Sequence, residues 1–140
     1  MGRASGAWGA AILVGIILAA APAATQRPGA AALAALEPGL YQLRMLGEAG
    51  QPQAICVADP NMLVQLQHRG TPCARLVIAN GARGATVHYT CPTNGFGQTS
   101  VTVETPRLAR IDTQGIRDNA PFAYRAEARR VGDCGAAPAR

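Results

Sequence analysis

Four cysteines constrain this chain more than any other feature of its sequence: Cys56, Cys73, Cys91 and Cys134. Successive cysteines lie 17, 18 and 43 positions apart. These separations match neither the closely spaced ligand pairs of structural zinc sites nor the C-x-x-C motif of thiol redox proteins. An even number of widely spaced cysteines is typical of disulfide bonds formed outside the cytosol. We therefore expect two disulfides, no metal and no cofactor.

Residues 1–23 have the features of a cleavable secretory signal peptide. Arg3 precedes an apolar stretch from about Trp8 to Ala20, and Ala21-Pro22-Ala23 supplies the small residues that signal peptidase requires. The apolar stretch is shorter than the ~20 residues of a membrane-spanning helix. We expect cleavage after Ala23, or alternatively after Ala24, and a periplasmic or secreted protein with no membrane attachment.

The basic residues are distributed in a way that argues against nucleic-acid binding. All thirteen are arginine, and most are spread along the chain and interleaved with acids such as Asp112 and Asp118. Arg125, Arg129 and Arg130 do lie close together, but an acidic residue sits among them. A nucleic-acid interface requires basic residues clustered on one element. We expect no nucleic-acid partner.

Apolar and polar residues alternate with a period of two along most of the chain after residue 37. Such alternation is typical of strands with one face on a core and the other in water. It predicts a mainly β fold, an antiparallel curved sheet or barrel-like meander of about seven strands. The expected strands lie near Tyr41–Met45, Gln53–Val57, Leu76–Ile78, Val87–Cys91, Val101–Val103, Leu108–Thr113 and Phe122–Ala128.

One short helix is expected between the second and third strands. Asp59 is a suitable N-cap, Pro60 suits the first helical position, and Met62, Leu63 and Leu66 can form an apolar stripe. Gly70 and Pro72 end the helix. The predicted organisation is a signal peptide over 1–23, an Ala-rich linker or short helix over 24–36, a single β domain over 37–134 and a flexible tail over 135–140.

The spacing of two cysteines suggests a hairpin register. Cys73 and Cys91 are symmetric about Ala82, so a hairpin centred there places them directly opposite each other. A two-residue turn at Asn80-Gly81 would instead place Cys73 opposite His88. We favour the first register because it pairs two cysteines and sets Arg75 beside Tyr89.

That register predicts the disulfides Cys73–Cys91 and Cys56–Cys134. If the helix carries the chain back across the sheet, the two cysteine pairs lie at opposite ends of the sheet. The main alternative is Cys56–Cys73 with Cys91–Cys134, which the spacing alone leaves open.

Several short motifs follow one another along the chain. They are Glu37-Pro38-Gly39-Leu40-Tyr41, Ile55-Cys56-Val57, an isolated Cys73, Val87-His88-Tyr89-Thr90-Cys91 and Gly132-Asp133-Cys134. Together and in this order, they resemble the secreted bacterial family catalogued as domain of unknown function number 3617. The resemblance spans roughly residues 37–134, with Tyr41 where the family commonly has tryptophan. It implies export and a small domain tied by cysteines, and it carries over no catalytic residue.

No residue pattern indicates catalysis. We expect His68 to be solvated at the frayed end of the helix and His88 to face water from the fourth strand. Ser100 is the only serine after residue 23 and has no G-x-S-x-G motif around it. Scattered acids such as Glu104, Asp112 and Asp118 are more often solvated partners of nearby arginines. Exposure of Phe96 in the Gly-rich loop 93–97 would suggest a binding surface.

The sequence thus favours a monomeric, exported binding or structural module with a periplasmic or extracellular partner. A proteinaceous inhibitor of a cell-wall hydrolase is the alternative. Tyr89-Thr90-Cys91 is similar to the Tyr-x-Cys element of small periplasmic lysozyme inhibitors, although their Ser-Gly inhibitory loop has no counterpart here. An enzyme is the least favoured hypothesis.

Overall fold

A computed structural model describes residues 1–2 and 30–135. The predicted signal peptide lies almost entirely outside the described residues, as do residues 24–29 of the predicted linker and 136–140 of the tail. The described part contains two 3-10 helices and seven strands. In chain order they are η1 (Ala31–Ala35), β1 (Gly39–Met45), β2 (Gln53–Val57), η2 (Pro60–His68), β3 (Ala74–Asn80), β4 (Gly84–Cys91), β5 (Gly95–Thr105), β6 (Leu108–Arg117) and β7 (Ala120–Gly132).

All seven strands belong to one antiparallel sheet in the order β2-β1-β7-β6-β5-β4-β3. Strands β3 to β7 form a meander, and the β1–β2 hairpin pairs with its last strand. The predicted mainly β, antiparallel fold is confirmed. The sheet does not close into a barrel, so β2 and β3 are its two edges.

The core lies on one face of the sheet. Val87, Val101 and Ile111, on three neighbouring strands, are at most 2% exposed. Helices η1 and η2 cover this face with buried side chains that include Leu33 and Leu63. Residues 30–36, the described part of the stretch expected to be a linker or one short helix, therefore pack against the sheet and contain the 3-10 helix η1.

Helix η2 carries the chain from the β2 edge to the β3 edge. The Asp59 side chain caps it by accepting a hydrogen bond from the backbone N–H of Asn61 at 2.9 Å. The helix position and its start at Pro60 agree with the prediction. At Gln65 the backbone leaves helical values, with φ −133° and ψ 37°, so η2 is two short 3-10 turns joined by a kink.

The two disulfides are Cys56–Cys134 and Cys73–Cys91, the two predicted pairs. Arg75 lies opposite Tyr89, as expected from a hairpin centred on Ala82. A register shift between Val77 and Ala79 displaces the pairing nearer the turn. No helix in the described residues is both long and apolar enough to cross a membrane.

Strand β3 differs from the prediction in which face it turns inward. Leu76 and Ile78, which mark the predicted strand, are 64% and 56% exposed. Arg75 and Val77 lie instead on the core side, because the register of the Cys73–Cys91 hairpin pairs them with the buried Tyr89 and Val87. Strand β3 thus presents Leu76 and Ile78 to solvent.

Candidate functional site

A groove of about 650 Å³ lies between edge strand β3 and the first half of η2. It exists because the sheet is unclosed, and the inner face of β3 is only partly covered by η2. Most of the polar and charged side chains that line the groove come from η2 with its N-cap and from β3. The lining residues of these elements include Asp59, Asn61, Val64 and Gln65 on the η2 side, and Arg75 and Val77 on β3.

Gln65 is the buried anchor of the groove. Its side chain is 3% exposed, and its amide Nε2 donates hydrogen bonds to the backbone oxygens of His68 at 2.7 Å and Thr71 at 2.8 Å. Both amide hydrogens are therefore used. Because the donors are held by the backbone, the amide oxygen Oε1 has a fixed direction, toward β3.

Arg75 is the hydrogen-bond donor to that oxygen. Its Nε and Nη2 atoms donate to Gln65 Oε1 at 3.0 and 2.9 Å. The side-chain ion pairs found within residues 30–135 do not include Arg75. The guanidinium is consequently positioned by a neutral partner, and within the described residues no acid pairs with it.

Asp59 is the acidic residue that lines the groove. Its Oδ1 atom accepts hydrogen bonds from the backbone and side-chain nitrogens of Asn61, both at 2.9 Å. This carboxylate belongs to the helix cap and makes no ion pair with Arg75. The groove therefore carries two separate charges of opposite sign.

His68 is buried, and the expectation that it is solvated was wrong. It is 2% exposed, with Nε2 3.0 Å from the backbone oxygen of Asn94 and Nδ1 3.1 Å from the hydroxyl of Tyr89. A carbonyl oxygen only accepts, so Nε2 carries the hydrogen, and in the neutral ring Nδ1 accepts from Tyr89. The histidine is thus a core residue with both nitrogens satisfied.

Glycines make room for this buried pair. A β-carbon on Gly97 would collide with the ring and hydroxyl of Tyr89, and one on Gly95 would collide with the carbonyl of Ile116. Burial of Tyr89 raises the pKa of its hydroxyl to about 12, because the charged phenolate would lose its hydration. The hydroxyl therefore stays protonated and donates to His68.

The outer face of the sheet carries a shallow apolar depression of about 450 Å³. Phe96, 45% exposed, borders it, and the ring of His88 lies 6.0 Å from the Phe96 ring between centroids. His88 is half-buried on the outer face, in agreement with the expected side of its strand. Phe96 lies at the start of β5 and is exposed, as a binding surface would require.

The remaining candidate residues do not assemble into a reactive site. Ser100 shares a hydrogen bond with Thr86 at 2.9 Å, and Glu104 and Asp118 pair with neighbouring arginines at 3.6 and 3.4 Å. The two disulfides use all four cysteines. Within the residues that the structure describes, no cluster of His, Cys, Asp or Glu is suited to hold a metal.

Sequence reasoning did not identify the Gln65–Arg75 pair. The one available signal was an arginine between Cys73 and Val77 on a strand whose register the cysteines specify. The second member lies ten residues earlier at a helix kink, and its inward orientation has no local sequence signature.

None of the protein-family models, curated proteins and solved structures compared with the chain matches it.

Proposed function

We propose that this chain is an exported binding module that recognises a carboxylate-bearing ligand in the groove between η2 and β3. The observation that carries the proposal is the guanidinium of Arg75, held by the buried Gln65 and not paired with an acid in the described residues. A preorganised cation binds with a smaller loss of side-chain entropy. Its planar fork of donors matches the geometry of a carboxylate.

Export is part of the same proposal. It is supported by the signal-like residues 1–23 and by two disulfides, which persist in oxidising compartments. We also propose membership of the secreted family number 3617, on the five motifs between residues 37 and 134 that resemble it. Expression of the full chain in a Gram-negative host should yield periplasmic protein beginning at Ala24. An N-terminal mass that retains Met1 would contradict export.

The ligand proposal is tested with a matched pair of small probes, the α-amides of N-acetylglutamate and N-acetylglutamine, so that the first has one carboxylate and the second has none. We expect the first to shift the NMR signals of the groove residues, above all the Arg75 side-chain N–H, and the second to leave them unchanged. The variant Arg75→Gln should abolish the response. Equal shifts with both probes, or shifts that persist in the variant, would refute the proposed site.

Inhibition of a cell-wall hydrolase remains the alternative proposal. The Tyr89 and Cys91 side chains of the inhibitor-like motif are buried, so an inhibitory contact would have to come from exposed residues such as Phe96. A panel of lysozymes assayed with micromolar protein decides between the two. Inhibition that is lost in Phe96→Ala but retained in Arg75→Gln would favour the inhibitor hypothesis.

A further inference from the structure

The strand that borders the groove has an unpaired backbone edge. β3 is an edge strand of the sheet, and β4 is its only partner among the described residues. The Cα atoms of Cys73 and Cys91 are 4.2 Å apart, which is the short separation of a non-hydrogen-bonded pair in an antiparallel ladder. Because the two kinds of pair alternate regularly as far as Val77, where the register shifts, the N–H and C=O groups of Arg75 and the N–H of Val77 point away from β4, toward the open side.

The side chains of β3 suit an added strand on both faces. On the inner face Arg75 offers a positive charge toward the groove. On the outer face Leu76 offers an apolar surface that is 64% exposed. An exposed edge strand with apolar side chains is a template for pairing with another chain. A residue placed opposite Arg75 would point into the groove, and the next residue along would point outward beside Leu76.

We propose that the natural ligand is an extended peptide segment with alternating acidic and apolar residues, which adds to the sheet as a strand beside β3. This inference rests on the proposed function, because it uses Arg75 as the carboxylate-binding group. Main-chain hydrogen bonds to Arg75 and Val77 supply affinity, and the acidic side chain against the guanidinium supplies specificity. Asp59 disfavours a second acid at its end of the groove.

The charge of the chain itself argues for an external ligand. A second copy of β3 would bring another Arg75 and no acid, since the strand sequence is ARLVIAN. Residues 1–29, which precede the groove residue Ala30, contain arginine but no acidic residue. Neither partner complements the guanidinium, whereas an acidic peptide does so on a protein whose net charge is +5.

The test measures binding of short peptides, capped at both ends, to the mature protein by isothermal titration calorimetry. In the first peptide Glu and Val alternate, and in the second Lys and Val alternate. The third peptide has the composition of the first, but all its Glu residues precede all its Val residues. We expect the alternating acidic peptide to bind at least about tenfold more tightly than either of the others. Arg75→Gln should weaken it by about tenfold, while Arg110→Gln, which removes the same charge from an exposed side chain on β6 outside the groove, should not weaken it.

Backbone methylation separates strand addition from simple charge recognition. In an antiparallel pairing, the Glu opposite Arg75 directs its backbone N–H toward β3. Methyl groups on the amide nitrogens of the Glu residues therefore block these hydrogen bonds and should abolish binding. The same number of methyl groups on the Val nitrogens, which point away from β3, should be tolerated. The variant Val77→Pro removes an N–H on the open side and leaves the β3–β4 bonds in place, so it should also weaken binding.

The outcomes distinguish the two proposals. If no acidic probe binds, including the α-amide of N-acetylglutamate, the proposed function itself fails. If that small probe binds but both methylated peptides bind equally well, only strand addition is overturned. A mature protein that is dimeric and becomes monomeric in Val77→Pro would assign the edge to a second copy. A protein that binds peptide only after removal of residues 24–29 would assign it to the chain's own N-terminal segment.

Discussion

The Nδ1 atom of His68 lies 3.1 Å from the hydroxyl oxygen of Tyr89, and both side chains are buried. This contact joins the end of η2 to β4, the strand next to the β3 edge of the sheet. The other ring nitrogen reaches the backbone oxygen of Asn94, in the turn between β4 and β5. One imidazole therefore links a helix, a strand and a turn.

Replacement of His68 with alanine should destabilise the fold by about 3 kcal/mol. The change leaves the Tyr89 hydroxyl and the Asn94 carbonyl without partners and opens a cavity in the core. Urea unfolding, followed by far-ultraviolet circular dichroism, measures the difference in free energy of unfolding. The control is His88→Ala, on the outer face, which should cost no more than about 1 kcal/mol. Equal costs for the two variants would contradict the structural role of His68.

Gly97→Ala should destabilise the protein by about 1–3 kcal/mol, because the added β-carbon collides with the Tyr89 ring. The effect is steric, since Gly97 has no positive φ angle. Gly50→Ala is the matched control, with nothing within 4 Å of an added β-carbon. In a Tyr89→Leu background the cost of Gly97→Ala should shrink, as expected for residues in contact. A cost that is unchanged in that background would refute the proposed collision.

The strands and disulfides could be predicted because their signals are local or symmetric. Val87, Tyr89 and Cys91 alternate with polar residues, and the structure buries all three. The position of Cys73 and Cys91 about Ala82 favoured one disulfide over the alternative pairing, and the structure contains that disulfide together with Cys56–Cys134. Neither conclusion required knowledge of distant contacts.

The buried contact between His68 and Tyr89 could not be predicted, because it joins residues that are distant in sequence. It also requires that Gly97 has no β-carbon, since that atom would collide with the Tyr89 ring. No local sequence pattern connects these three residues. Strand β3 was ambiguous for a different reason. Leu76, Val77 and Ile78 are consecutive apolar residues, so alternation cannot decide which of them faces the core.

Loss of the two disulfides should affect the protein to different degrees. In the chain-entropy model, the Cys56–Cys134 bond closes 78 residues and contributes about 4 kcal/mol, whereas Cys73–Cys91 closes 18 and contributes about 3 kcal/mol. Urea unfolding of the two double-serine variants measures both values, and non-reducing peptide mapping of the parent verifies the pairing.

The same variants separate stability from binding. Cys73 lies two residues from Arg75, so the double-serine variant at residues 73 and 91 should loosen β3 and weaken binding of the acidic peptide. The variant at residues 56 and 134 leaves β3 tied to β4 and should bind normally at temperatures where it is folded. Weaker binding in the second variant but not in the first would contradict the placement of the ligand beside β3.

Alkaline pH should destabilise the fold through Tyr89. Burial raises the pKa of this hydroxyl to about 12 in the folded state, against 10.0 for an ordinary tyrosine. The unfolded chain therefore loses its proton first, so the stabilisation is complete below pH 10 and is lost as pH rises toward 12. Each pH unit between 10 and 12 lowers the free energy of unfolding by about 1.4 kcal/mol, for a total of about 3 kcal/mol.

Urea unfolding at a series of pH values through this interval, with Tyr89→Phe as the control, measures the effect. The variant loses the bond to His68 at every pH, but its stability should fall less steeply between pH 10 and 12. Some slope should remain, because burial also raises the pKa of Tyr41 and Tyr124. Parallel curves for the parent and the variant would show that the Tyr89 hydroxyl titrates normally, and the buried bond to His68 would then not hold its proton.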